Sequence, residues 1–254
     1  MSYQFRLLQT GYADASFNMG LDMAILDAVA SGQSLPTLRF YEWSPPAISL
    51  GYFQSVEEEV NLEACKANGD DVVRRVTGGG AVFHDAEVTY SIGIPEDHPL
   101  AAASIIESYR ILCQGIIDGL RVLGIEAQFA PINDIVVGNK KISGNAQTRR
   151  KHCIFQHGTV LLAVKPELMF SLLKVPKEKS RGKMIEDIKA GVTSIETLKG
   201  QALRIETVQD ALQQGFASAL GLEYVDYNIR TQEMKSAKEY AANQFGNSEW
   251  TYRR

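Results

Sequence analysis

Residues 74–85 constrain the chain more than any other stretch. They read Arg-Arg-Val-Thr-Gly-Gly-Gly-Ala-Val-Phe-His-Asp, with strand-like Val72 and Val73 before them and the apolar run Ala81, Val82 and Phe83 after the glycines. Three consecutive residues without side chains leave backbone N–H groups uncovered, so an anionic ligand can come close to the main chain. Arg75 adds a permanently charged, planar donor fork and Thr77 a hydroxyl. A bare glycine triplet is an ordinary turn beside solvated arginines, but twelve residues in this order point to a binding loop.

The elements around the loop follow from periodicity. A short strand is expected at 5–8, and Asp14, Ala15 and Ser16 suit the start of a helix whose stripe is Phe17, Leu21, Ala24, Ile25 and Ala28. Residues 37–43 and 47–53 read as strands around the turn Ser44-Pro45-Pro46, and 56–68 as one amphipathic helix headed by Glu57, Glu58 and Glu59. Strands at 72–76 and 88–94 frame the loop. Ile105, Tyr109, Leu112, Ile116 and Leu120 form a long helical stripe, and short strands follow at 126–130 and 135–137. Gly138-Asn139 suits a tight hairpin turn that delivers Lys140 and Lys141 to the return strand.

Residues 154–164 read as a strong strand, Pro166 opens a short helix, and the lysine-rich 175–191 read as a mobile loop. Thr207-Val208-Gln209-Asp210 is similar to a capping box with Asp in place of Glu, and a strand at 222–225 and a helix at 231–243 close the chain. Helices and strands are interspersed without regular alternation, which predicts an α+β domain with mixed and antiparallel sheets flanked by helices.

At 254 residues, 45% hydrophobic and 22% charged, the chain is expected to form a single domain over 1–254. It has no apolar run of eighteen residues and no signal-peptide pattern, so the cytoplasm is the expected compartment and no membrane partner is expected. Cys65, Cys113 and Cys153 are odd in number and scattered, which argues against a disulfide framework or a zinc site. A net charge of −4 and a pI near 5.7 argue against nucleic acid as a partner, although basic residues gather between 74 and 183.

A second block, residues 133–146, reads Asn-Asp-Ile-Val-Val-Gly-Asn-Lys-Lys-Ile-Ser-Gly-Asn-Ala. On a strand, Lys140 and Lys141 point to opposite faces, so one of them can face a pocket. Asp134 suits a magnesium ion held with phosphate oxygens, and Asn133 a hydrogen bond to a nucleotide, although an Asn-Asp pair also makes ordinary turns. Gly144 and Ala146 lack bulk, which leaves room for a ligand or for tight sheet packing.

The two blocks together resemble the lipoate-protein ligase A family. Its loop runs Arg-Arg-x-[Ser/Thr]-Gly-Gly-Gly-x-Val-Phe-His-Asp, and its second signature runs Asn-Asp-[Ile/Leu]-Val-Val, then Lys-[Ile/Val]-Ser-Gly-x-Ala. The resemblance implies the biotin/lipoate protein ligase catalytic fold, related to class II synthetases, and a short form without the family's C-terminal accessory domain. It implies ATP- and Mg²⁺-dependent activation of lipoate or octanoate to an acyl-adenylate, then transfer to a lysine of a lipoyl acceptor domain. Such acceptors belong to a 2-oxoacid dehydrogenase subunit or to a carrier like the glycine cleavage H protein. A separate small subunit could supply the missing domain.

Carried onto this chain, Lys141 would be catalytic and would also contact the nucleotide with Asn133 and Lys183, while Asp134 would hold the metal. Arg75, Thr77, Gly78, Gly79, Gly80, Gly144, Ala146 and His157 would bind the substrate. His84 would lie beside them as a hydrogen-bonded strand residue. Related transferases instead use a cysteine thioester and need no ATP. This chain has no cysteine at their two positions, shortly before Asn133 or at Lys174-Val175-Pro176, which leaves Cys153 as that reading's one candidate. A biotin-protein ligase and a non-catalytic subunit binding acyl-adenylate or acceptor are the other readings.

Overall fold

A computed structural model describes residues 2–174 and 181–254, with the side chains of 181–184 also outside the description. The expectations for 175–180 therefore lie outside the described residues, as does the side chain of Lys183. The chain opens with β1 (Tyr3–Ala13), longer than its apolar run suggests, and Asp14 caps α1 (Ala15–Ala30) by accepting from Phe17 N. β2 (Thr37–Trp43) is buried along its whole length.

After Ser44-Pro45-Pro46 the chain enters β3 (Ala47–Leu50), which belongs to a different sheet from β2. The expected long helix over 56–68 is broken into α2 (Val56–Glu59) and α3 (Leu62–Asn68). Val60, between them, is extended and bridges to Leu173, far along the chain. β4 (Asp71–Arg74), the glycine loop and β5 (Val82–His84) follow; β4 and β5 flank β3 in a three-stranded sheet.

β6 (Glu87–Pro95) returns to the large sheet, and α4 (Ile105–Val122) buries Tyr109, Leu112, Ile116 and Leu120 of its predicted stripe while Ile105 is exposed. β7 (Gln128–Ala130), β8 (Asp134–Val137), β9 (Lys140–Arg150) and β10 (Cys153–Leu161) form an antiparallel meander, with the expected turn at Gly138 (φ 60°). α5 (Pro166–Leu172), α6 (Arg181–Gly191) and α7 (Ile195–Lys199) follow, so 181–191 is helical where a loop is expected. α8 (Ile205–Leu220) begins before the expected capping box, and Arg204 at its N-cap makes no side-chain cap bond. β11 (Leu222–Asp226), α9 (Thr231–Tyr240) with a π-helical turn after it, and α10 (Ser248–Thr251) complete the chain.

The large sheet has the order β11-β1-β2-β6-β10-β9-β8-β7. β11, β1 and β2 are parallel, and β2, β6, β10, β9, β8 and β7 run antiparallel in turn. Leu38 and Phe40 of β2 join the core beneath α4 and α8, whereas Tyr41 and Trp43 join the core on the α1 side. This is the period-two alternation of a strand buried on both faces.

On the α1 side, Arg39 pairs with Asp22 (2.7 Å), which also accepts from Tyr41 (2.9 Å) and Ser91 (2.7 Å). Every bond on this buried carboxylate comes from a donor inside the core, the condition under which a buried charge is tolerated. The small sheet packs with α3 and α5 around its own apolar cluster, Ile48, Leu50, Cys65 and Leu172 among its members. The glycine loop thus lies where two sheets meet.

Candidate active site

A cavity of about 440 Å³ opens between the small sheet, β9, β10 and α5. That is within the roughly 300–1,000 Å³ usual for small-molecule sites. Its walls are largely apolar, with Met19, Phe83, Met169, Phe170 and Ile188 among the residues lining it. Register across β8, β9 and β10 carries one sequence block to the other. Asp134 lies opposite Gly144, Gly144 opposite Thr159, and Ala146 opposite His157, and Thr77 of the glycine loop reaches His157 Nε2 through its hydroxyl (2.7 Å).

Lys141, Gly79, Gly80, Arg75, His84, Asn133, Gly144, Ala146 and His157 all line the cavity. Lys141 pairs with Asp134 (2.7 Å), and both side chains remain partly open, at 40% and 35%. Lys140 is exposed and points to Lys189 O (3.4 Å), so the alternation along β9 selects Lys141. A Cβ on Gly144 would lie 2.7 Å from both Cε and Nζ of Lys141, so the room at Gly144 is taken by the lysine side chain rather than kept for a ligand. We expect Gly144→Ala to push the ammonium aside and lower kcat by about tenfold or more, since displacements near 1 Å can cost up to about a hundredfold. Unchanged steady-state kinetics would show that the ammonium's position does not matter.

Several residues play parts that their side-chain chemistry alone does not disclose. Arg75, expected to receive a ligand anion, spends its donors on the protein. It bonds Ser49 O (2.8 Å), Ser49 Oγ (3.1 Å), Gly78 O (2.8 Å) and Gly80 O (2.7 Å). Burial lowers its pKa to about 10, which leaves it charged at neutral pH. Asn133 donates to Asn145 O, and Asn145 donates back to Asn133 O (2.9 Å), so the amide expected to meet a nucleotide closes a loop instead. Asp134, expected at a metal, is engaged by Lys141. Among the described residues no three His, Cys, Asp or Glu side chains gather as a metal site.

The deep end of the cavity is polar and tightly bonded. His84 stacks on Trp43 (4.1 Å between ring centres), bonds Glu87 Oε1 through Nδ1 (2.6 Å) and meets Ser49 Oγ through Nε2 (2.7 Å). Thr89 donates to Glu87 Oε1 (2.7 Å) and accepts from Trp43 Nε1 (2.8 Å). Ser49, Glu87, Thr89 and Asn145 are absent from the sequence-based site. Only Asn145 lay inside a quoted motif; the others are joined by tertiary contacts across sheets. Ser49, His84 and Glu87 follow one another in the order of a hydrolase relay, but Ser49 is 1% exposed and also accepts from Arg75, so it braces the loop.

His157 is buried and its pKa is lowered to about 3, first by burial and then by the charges of Arg75 and His84. It is therefore neutral at physiological pH and serves as a hydrogen-bond partner of Thr77. Its unfolded value is near 6.5, so below that pH the unfolded chain binds the extra proton first and stability falls as pH drops toward 3. We expect His157→Gln to flatten the fall in urea-denaturation stability between pH 6.5 and 4 by as much as about 1.4 kcal/mol per pH unit. An unaltered slope would show that His157 titrates normally.

The three cysteines stand apart. Cys65 and Cys113 have pKa values raised to about 11 and about 12, and Cys153 is raised as well, in each case first by burial. None of them lines the cavity. Cys153 is buried with Phe155 and Ala237 at the start of β10, four residues before His157. It is not placed to carry an acyl group in this cavity.

The model of the lipoyl protein ligase A/B catalytic domain matches residues 14–217. The chain belongs to this family. Octanoyltransferase LipM of Geobacillus kaustophilus is 38% identical, with 98% of this chain and 98% of that protein covered. The Bacillus subtilis octanoyltransferase LipM is 33% identical over the same shares. Among solved structures, the bipartite lipoate protein ligase of Thermoplasma acidophilum superposes with a TM-score of 0.89 at 30% identity, covering 98% of this chain and 96% of that one. The α+β fold with helix-flanked sheets is thus that of the lipoate ligases.

These relatives correct the expected activity. Full-length relatives more identical than the ligase are octanoyltransferases, which overturns the expectation of an ATP-dependent ligase forming an acyl-adenylate. Here the glycine loop and the lysine block stand in a chain whose full-length relatives are octanoyltransferases, so on this chain those motifs mark the family and not the ligase reaction. Among the described residues no helix is long and apolar enough to cross a membrane.

Proposed function

We propose that the chain is an ATP-independent octanoyltransferase that moves a medium-length acyl group from a thioester donor to a lysine of a lipoyl acceptor domain. Such a domain would be of the kind found in 2-oxoacid dehydrogenases or the glycine cleavage H protein. The observation that carries this reading is the placement of Lys141 and the glycine loop on one apolar-walled cavity in a close relative of octanoyltransferases. In this reading the acyl chain lies along the apolar wall, against Phe83, Met169 and Phe170. The carbonyl stays near Lys141, where the site is open to a partner.

The neutral amine of the acceptor lysine attacks the thioester carbonyl. Lys141, held by Asp134, stabilises the negative charge that builds on the carbonyl oxygen. The C–S bond breaks as the C–N bond forms, and the proton lost by the amine goes to the departing sulfur. The products are an amide and a free thiol. No covalent acyl-enzyme is required, in keeping with a cavity that no cysteine lines.

The test is an assay without ATP, in which the chain is mixed with an octanoyl thioester and an acceptor domain and the acceptor's mass is followed. Octanoylation is expected from the unaltered protein and from a variant with Cys65, Cys113 and Cys153 all changed to alanine. Strict dependence on ATP would contradict the reading. Octanoate trapped covalently on a cysteine would contradict direct transfer.

A further inference from the structure

At the cavity mouth, exposed Gly79 and Gly80 are backed by a second loop, residues 51–54. A Cβ on Gly51 would sit 2.0 Å from Gly79 O, and Tyr52 N donates to Thr77 O (2.8 Å), so the two loops pack directly against each other. The second loop presents Tyr52 and the 68% exposed Phe53. The C-terminal arginines lie over these rings. Arg253 is 3.8 Å from the centre of Tyr52 and 4.2 Å from that of Trp250, and Arg254 is 5.6 Å from that of Phe53.

Arg150, the last residue of β9, lies near enough to Tyr52 for its charge to be felt there. With Arg254 it adds to the lowering of the Tyr52 pKa, which is caused first by the hydrogen bond and charge of Arg253. Among the described residues, Arg150, Arg253 and Arg254 form no ion pair with a carboxylate, whereas the exposed Arg110, Arg121 and Arg230 all do. Glu57, Glu58 and Glu59 open the helix just beyond, and they make no ion pair with the three arginines either. The exposed Arg204 is likewise without an ion pair among the described residues, but it stands alone, whereas these three guanidiniums gather on a chain of net charge −4. Arginine and exposed aromatic rings are also the side chains that anchor protein interfaces.

Resting on the acyl-transfer reading, we propose that this arginine and aromatic rim is the docking surface for the acceptor domain, which presents an acidic face beside its lysine. A lysine side chain is short, so the body of the domain must rest on the rim of the cavity whose mouth it enters. Like charges gathered there repel one another until an anionic partner covers them, which favours an acidic protein face over a neutral one.

The test measures binding of the acceptor domain, its lysine changed to alanine, by calorimetry at low and high salt, and KM for the intact domain. The proteins are the full chain, the Arg150→Glu/Arg254→Glu double variant and the milder Arg254→Gln. Arg254 is exposed, so the single variant keeps the test available should the double variant fold poorly. We expect the double variant to weaken binding about tenfold at low salt, Arg254→Gln to fall between, and added salt to narrow the gap. KM for the domain should rise in parallel while kcat at saturation stays within twofold.

Unchanged affinity and KM in folded variants would overturn the docking surface while leaving the transfer reading intact. Binding to vesicles of anionic phosphatidylglycerol but not to the acceptor domain would overturn it too. Normal, arginine-dependent docking without octanoyl transfer would instead support the surface and remove the transferase reading.

Discussion

Replacing Lys141 by alanine is expected to lower kcat/KM for octanoyl transfer by about 10²–10³-fold, the usual cost of removing a donor that stabilises a developing oxyanion. The size of the effect follows from placement. The Lys141 side chain crosses Gly144, is fixed by Asp134, and lies on the cavity that the exposed glycines enter. Lys140 provides the control, because it has the same charge one residue away and faces outward. Lys140→Ala should stay within twofold of the parent. A Lys141→Ala enzyme with parental kcat/KM would show that charge on the carbonyl oxygen is stabilised elsewhere. Arginine at 141 should not restore activity, since its larger planar head meets the space that Gly144 opens for a slender ammonium.

The second large effect is expected at Arg75. Arg75→Ala leaves the carbonyls of Ser49, Gly78 and Gly80 without the guanidinium that joins them, and it should destabilise the fold by about 3 kcal/mol. Arg75→Lys should recover little, because one ammonium cannot span carbonyls from both a strand and a loop. Urea denaturation checks the stability, and KM for the octanoyl donor checks the loop. A stable Arg75→Ala protein whose only defect is weak donor binding would mean that the guanidinium serves the ligand rather than the loop.

Arg75 also shows where sequence reading stopped. The twelve-residue stretch was legible as a glycine loop between two strands, and part of that loop lines the cavity. The direction of the arginine's donors was not, because it depends on Ser49 in a neighbouring strand. Arg74 is similar: it is fully buried and bonds Gly51 O (3.0 Å), Gln54 O (2.6 Å) and Thr251 O (2.8 Å), joining segments far apart in the chain. Lys141 was legible through strand alternation and the quoted motif. The polar deep end was not, since Ser49, His84 and Glu87 are brought together by the packing of two sheets.

The same limit applies to the elements. Helical spacing of apolar residues gave α1 and α4, although α1 is buried on nearly every side. The break at Val60 was invisible to helical periodicity, since it is set by a bridge to Leu173. The strands on either side of Pro45 and Pro46 were legible as strands, but nothing local says that they join different sheets. The reaction itself was misread for a chemical reason. The two readings use the same cavity residues and differ in the group that leaves the acyl carbonyl, which these motifs do not encode.

The most direct measurement is a crystal structure of the chain with a non-reactive octanoyl ketone analogue of the thioester donor. The account predicts the carbonyl oxygen within hydrogen-bond reach of Lys141 Nζ, about 3 Å, and the alkyl chain against Phe83, Met169 and Phe170. An analogue lying with its carbonyl at His84 and its tail at Lys141, or bound outside the cavity, would contradict it.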